Sequence, residues 1–314
     1  MSRLTKSIVA SLLLVAVSAP VTAAADAIHE VSPTTETTFN EGQVEKIEFD
    51  PSGRLWVWNN TYSSSLPYGP QANVLTKDEA GNWTQSFRLT IRKFGTVGDI
   101  HFADDGTMYA TSFNSKLAVV TFNTDGSVKK VRQFTFSARK SPDSVTPIDG
   151  NKLSFVRYNQ LTEYQLPFTA RSKPIRTMKI TTRYGWGAQT LVGADGTLYY
   201  SDGAENTADV DVYIPSQSGS ASPDHSFTVD PFFADYYIGG MTFSPEGDLA
   251  LRVNQRVVFL PLDASGANLV PDSGYSFTGS HVGFYSDVAF DSTGVMALAD
   301  YGVTNSLRFF FETP

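Results

Sequence analysis

The sequence predicts an all-β fold: a six-bladed β-propeller with four antiparallel strands per blade, its ring closed by an N-terminal strand. Three observations carry this. A hairpin motif recurs six times, its spacing stays between 44 and 53 residues, and no stretch with helical periodicity and caps follows the N-terminal leader.

The leader comes first. Arg3 and Lys6 form a short positive region, Ile8 to Val17 is an apolar run broken only by Ser11, and Pro20 with Ala23, Ala24 and Ala25 precedes Asp26. Charge, apolar run and small residues in this order read as a signal peptide over 1–25, cleaved near Ala25. A run near ten residues is too short for a membrane span, which needs about 20. The expected location is extracellular or periplasmic. Residues 26–33, with His29, are expected to be flexible, and 34–314 to form a single propeller domain.

Composition narrows the partners. Of 314 residues, 41% are apolar and 18% charged, which is ordinary globular usage. There is no cysteine, so stability must come from the core rather than from disulfides. Loss of Arg3 and Lys6 with the leader leaves 22 basic against 32 acidic residues, a net charge of −10. Such a balance, with no basic cluster beyond short pairs such as Lys129–Lys130, disfavours nucleic acid and anionic membranes.

The motif is apolar-x-Phe-x-x-x-Gly-x-Leu/Met-x-apolar. It fits Ile47–Val57 ("IEFDPSGRLWV"), Ile100–Ala110, Met241–Leu251 and Val288–Leu298 without gaps. Thr190–Tyr200 carries Val192 in place of Phe, and Val145–Phe155 is a degenerate copy. The six turn glycines are Gly53, Gly106, Gly150, Gly196, Gly247 and Gly294, each expected at positive φ. Gly219, in the polar stretch "PSQSGSASP", carries no such expectation. Each hairpin supplies two inner strands, and the Phe fills the space between neighbouring blades. A third alternating run follows ("LAVVTF", "VDVYIP", "RVVFLP") and then a fourth ("SFRLTI", "RTMKIT", "HSFTV"). The last unit ends at "SLRFFFETP" with a third strand only. The spare "TTETTFN" at Thr34–Asn40 is expected to supply the fourth and close the ring.

Ligands of propellers bind where outer strands return to inner ones, around the channel mouth. The residue before each inner strand should ring that mouth: Lys46, Asp99, Ser144, Gln189, Gly240 and Asp287. The returning loops are rich in glycine and aromatics. Tyr184, Trp186, Tyr236, Tyr237, Phe284 and Tyr285, with Tyr62 and Tyr68 of the long first-unit loop, are the candidate ligand-binding residues, since aromatics suit flat apolar ligands and sugar faces. Motifs of hydrolytic chemistry are absent. Of the four histidines, His281 alone lies on the expected ligand face and is the weak catalytic candidate. His101 falls within an inner strand and His225 opens an outer one.

On its six inner hairpins the chain resembles secreted six-bladed propellers of the NHL and SMP-30/gluconolactonase-like superfamily, over nearly the whole mature length. Calcium-dependent lactonase-like members of that group place Glu, Asn and Asp at the channel mouth. By position this implies Glu45, Asp99 and Asp287, with Asn159, as metal candidates and calcium as the cofactor. Lys46 and Gly240 depart from such a ring. The first functional expectation is therefore a secreted, non-catalytic propeller that binds an extracellular small molecule, glycan or protein through its mouth loops. A calcium-dependent lactonase or hydrolase is the alternative, and a lyase using His281 as base is the third.

Overall fold

The computed structural model describes residues 28–31, 35–38, 43–60, 71–79, 81–137, 142–157, 159–180, 189–201, 209–228, 238–253, 256–260, 262, 273–277, 287–299 and 306–310. Every element described is a strand. β1 (Ile28–Val31) and β2 (Thr35–Thr38) precede the repeat. The first unit supplies β3 (Gln43–Phe49), β4 (Leu55–Asn60), β5 (Gln71–Lys77) and β6 (Trp83–Thr90). The second supplies β7 (Val97–Phe102), β8 (Met108–Ser112), β9 (Lys116–Phe122) and β10 (Val128–Thr135). The third supplies β11 (Ser144–Ile148), β12 (Lys152–Arg157), β13 (Gln160–Gln165) and β14 (Pro174–Ile180). Next come β15 (Gln189–Val192), β16 (Leu198–Ser201), β17 (Asp209–Tyr213), β18 (Gly219–Ala221) and β19 (His225–Thr228). The chain continues with β20 (Ile238–Phe243), β21 (Leu249–Val253), β22 (Arg256–Leu260) and β23 (Ser273–Phe277), then β24 (Asp287–Phe290), β25 (Met296–Ala299) and β26 (Ser306–Phe310).

These strands pair into six sheets. Five take their main antiparallel strands from one stretch of chain each. The sixth joins β24, β25 and β26 to β2 from the other end of the chain, with Thr35 opposite Phe309 and Thr38 opposite Ser306. The innermost strands adjoin one another in the order β3, β7, β11, β15, β20, β24 and β3 again.

Two sheets depart from the expected four antiparallel strands. β18 leaves its own unit and pairs parallel with β14, Met178 opposite Gly219 and Ile180 opposite Ala221. β1 pairs parallel with β23, Ile28 opposite Gly274 and Val31 opposite Phe277. The flexible segment expected over 26–33 is thus replaced at 28–31, with His29, by a strand. The cause is common to both. The outermost strand of a sheet presents a row of unpaired N–H and C=O groups, and an extended segment that reaches it satisfies them.

The motif phenylalanines sit between sheets as expected. Phe102 packs at 5.4 Å from Trp56 of the preceding sheet, Phe243 at 5.7 Å from Tyr199 and Phe290 at 5.9 Å from Phe259. Five of the six hairpin turns close through the glycine, as in Gly53 N–H to the Asp50 carbonyl at 2.8 Å and Gly106 N–H to that of Ala103 at 2.8 Å, and the third closes one residue later, through Asn151 N–H to the Ile148 carbonyl at 3.2 Å. All six motif glycines have positive φ, from 61° at Gly150 to 92° at Gly247. Gly219 has it too, at 69°, against expectation: this residue opens the strand that crosses to the preceding sheet.

Candidate functional site

The site is built from the first turns of the inner strands. Three of these strands carry a β-bulge where they begin, between Val44 and Lys46, Val97 and Asp99, and Ile238 and Gly240. A bulge re-aims the residue that follows it, here the expected mouth residues Lys46, Asp99 and Gly240. Gly98, inside the second bulge, permits a close approach. A Cβ there would lie 3.0 Å from the Asp143 carbonyl and 3.2 Å from Thr111 Oγ1.

Strand alternation then sorts the side chains. Even steps from the mouth residue put Lys46 and Glu48 on one face of β3, Asp99 and His101 on one face of β7, and Ser144 and Thr146 on one face of β11. Lys46, Glu48, Asp99, His101 and Asp287 form one electrostatic cluster across β24, β3 and β7. Lys46 Nζ stands 3.8 Å from Asp287 Oδ2. His101 Nδ1 is 3.3 Å from Glu48 Oε1, and its Nε2 is 3.6 Å from Asp99 Oδ2. Asp287 and Asp99 each also accept a backbone N–H from the next sheet, of Ile47 and of Val145, both at 3.1 Å. The two aspartates therefore tie neighbouring sheets together at the mouth.

Burial raises the Glu48 carboxyl above its ordinary range, and the His101 charge only partly offsets this. Asp287 is likewise raised by burial, against the pull of Lys46 and the Ile47 N–H. For His101, burial acts to lower the imidazole, but the charges of Asp99 and Glu48 outweigh it and push the pKa up to about 9. At neutral pH His101 is thus an imidazolium held between two carboxylates, a fixed cation rather than a free base.

The β11 side is different. Ser144 and Thr146 are 8% and 7% exposed, and their hydroxyl oxygens have no hydrogen-bond partner among the described residues. Ser154, directly opposite Thr146 across β11 and β12, is in the same condition. A charged wall on β24, β3 and β7 thus adjoins a wall of buried, unpartnered hydroxyls. Such hydroxyls bear a desolvation cost that a water or ligand polar group would relieve.

The candidates divide accordingly. Lys46, Asp99 and Asp287 fall within that cluster, Ser144 precedes the Val145 whose N–H bonds Asp99, and Gln189 opens β15. The metal expectation receives no ligand set: among the described residues no group of three His, Asp or Glu side chains is close enough to hold an ion. The physical reason is visible. The repulsion between Asp99 and Asp287 is met by Lys46, His101 and the two backbone N–H groups. Glu45 stands in β3 at the first bulge, and Asn159 lends its carbonyl to Ile180 N–H at 2.6 Å. His225 opens an outer strand with its Nδ1 3.1 Å from Asp224 Oδ2. Tyr62, Tyr68, Tyr184, Trp186, Tyr236, Tyr237, His281, Phe284 and Tyr285 lie outside the described residues.

Sequence reading missed three residues. Glu48 and His101 sit two places after mouth residues, and the period of a strand was the available signal. Phe113 is the third. It is 58% exposed in the turn after β8, on the face where β7 begins, with its N–H bonded to the Thr96 carbonyl. Phe94, the aromatic of the loop entering β7, is by contrast fully buried core.

Similarity to solved structures is broad and low in sequence. Pseudomonas aeruginosa periplasmic gluconolactonase, PpgL, superposes with a TM-score of 0.56 at 18% identity, covering 84% of this chain and 87% of that one. The β-propeller domain of Myceliophteria thermophila Cps50 (Swd1) gives 0.55 at 11% identity, covering 88% and 98%. The WD40 β-propeller domain of Doa1 gives 0.54 at 9%, covering 90% and 97%. The fold is a β-propeller. No protein-family model and no curated protein matches the chain. The shared feature among these neighbours is therefore the propeller itself, and identities this low carry the fold alone.

Proposed function

We propose that the chain is an exported, six-bladed β-propeller, closed by β2, that binds a small polar extracellular molecule at its channel mouth without transforming it. One observation carries the reading. A charged wall of Lys46, Glu48, Asp99, His101 and Asp287 meets the buried unpartnered hydroxyls of Ser144 and Thr146 where the inner strands begin. Charged and hydroxyl groups brought together with part of their solvation removed are one requirement of a small-molecule site. The exposed Phe113 offers a ring at the rim, the role also proposed for Trp186, Tyr237 and Tyr285. The leader over 1–25 supports an extracellular or periplasmic location.

A non-catalytic role suits the histidine. A base poised near neutrality would be needed for proton abstraction, whereas the Asp99 and Glu48 charges raise the His101 imidazole well above that range. The alternative of a calcium-dependent lactonase rests on the resemblance and on Asp99 and Asp287, whose charges are already met within the chain.

The test is a melting screen with amino acids, sugar acids and polyamines, followed by calorimetry on whichever raises the melting temperature. Phe113→Ala is expected to weaken the binding of that compound about tenfold, equivalent to about 1.4 kcal/mol, without lowering the melting temperature of the free protein, whereas Lys46→Ala should weaken binding and also lower the melting temperature, since Asp287 loses its cation. Turnover of a lactone and ester panel restored by calcium would replace this reading with the hydrolase.

A further inference from the structure

On the face opposite the mouth, between the sheet of β7–β10 and the sheet of β11–β14, lies a groove of about 650 Å³ that the channel reading does not use. Its floor is apolar and aromatic. Tyr109 and Phe168 are buried, and Phe134 stacks edge-on to Phe168 with ring centres 5.3 Å apart. Its wall is cationic. Lys129, Lys130 and Arg132 all line the groove from β10 and are exposed. None of the three makes a hydrogen bond or ion pair among the described residues. Registration places two of them over the floor: Lys130 lies opposite Thr121, Arg132 opposite Val119, and Val119 opposite Tyr109. Arg132, Val119 and Tyr109 thus stand side by side on one face of the sheet.

Cations on an outer strand also guard an open edge against pairing. That role needs no apolar floor beneath them. In a chain whose formal charge is −8, three adjacent unpaired cations above an aromatic floor favour an anion with an apolar body. The volume lies within the roughly 300–1,000 Å³ typical of small-molecule sites. Asp105 lines the hairpin end of the groove. Burial, and after it the Asp105 charge, pushes the Tyr109 hydroxyl up to about 12.

We propose that this groove binds a small amphipathic organic anion. Its apolar body lies on Tyr109, Val119 and Phe168, and its anionic head lies at Lys130 and Arg132.

Calorimetric titration of the full protein with decanoate tests this, with decan-1-ol and decyltrimethylammonium as the uncharged and cationic counterparts. Saturable decanoate binding is expected, with the two counterparts weaker by about tenfold or more. The double variant Lys130→Glu, Arg132→Glu should lose decanoate binding while keeping its melting temperature, since both side chains are exposed. Lys46→Ala should bind decanoate as the parent does, which separates this groove from the channel mouth. Absence of saturable decanoate binding at millimolar concentration would overturn the proposal. So would equal binding of decyltrimethylammonium, or an unchanged affinity in the double variant.

Discussion

Asp50 shows how one side chain can organise a hairpin. Its Oδ1 accepts the N–H groups of Ser52 and Arg54, both at 3.0 Å, and its Oδ2 accepts Arg54 Nε at 2.6 Å and Trp56 Nε1 at 2.9 Å. Arg54 in turn lies 5.6–5.8 Å from the rings of Trp56, Phe87 and Phe122, and its Nη1 donates to the Gly126 carbonyl of the next sheet. Asp50→Ala is therefore expected to cost about 1–3 kcal/mol, because it leaves the buried Trp56 Nε1 without an acceptor; chemical denaturation measures this. Gly106→Val should cost a similar ~1–3 kcal/mol through strain at φ 78°, although nothing lies within 4 Å of the added Cβ. Equal tolerance of valine at Gly106 and at an exposed strand position such as Gln133 would contradict this. At the mouth, the raised values of Glu48, Asp287 and His101 share one sign: the folded chain holds protons that the unfolded chain releases. The His101 contribution is complete below about 6.5, the ordinary histidine value, and is lost as pH rises through about 9. The melting temperature should fall across that window and flatten in His101→Gln. Residues fixed by local turn chemistry, such as the six motif glycines, were legible in the sequence because their requirement lies within five or six neighbours. The pairing of Glu48 with His101 was not, because it depends on two strands 53 positions apart standing side by side.

At the scale of the element, the same division holds. The inner hairpins, the third and fourth strands, and the use of Thr35–Thr38 as a partner for the last strand could all be read from alternation and from the missing strand at the C-terminus. β18 could not. Its three residues are polar or small, only Ala221 is buried, and its docking on β14 is decided by an open sheet edge rather than by its own pattern. The edge strand itself supplies further ties: Arg176 of β14 donates to the Gln217 carbonyl at 2.9 Å and to that of Ile214 at 3.1 Å. Deletion of Thr35–Thr38 should remove the outer partner of β26 and destabilise the chain by about 2–4 kcal/mol, from a few backbone hydrogen bonds each worth a net 0.5–1.5. It should also promote association through the exposed edge. A monomeric deletion variant with the parent's melting temperature would remove β2 from any role in closure.

For the molecule as a whole, the architecture is the part that sequence carries best, because six copies of one hairpin repeat the same evidence. The site is legible only in part, since a mouth is assembled from strands far apart in the chain and its aromatic loops follow no shared pattern. The cations already present beside Asp99 and Asp287 lead to one further expectation: EDTA should leave the melting curve unchanged, and millimolar calcium should not raise it. The central claim is that ligand binds where the inner strands begin. Its most direct test is nuclear magnetic resonance of the labelled protein, titrated with the compound that most raises the melting temperature in the amino-acid, sugar-acid and polyamine screen. The account predicts saturable shifts at the His101 ring and the Phe113 ring, with those of Tyr109 and Phe168 unmoved. Shifts confined to Tyr109 and Phe168, or none at His101 and Phe113 at saturation, would contradict it.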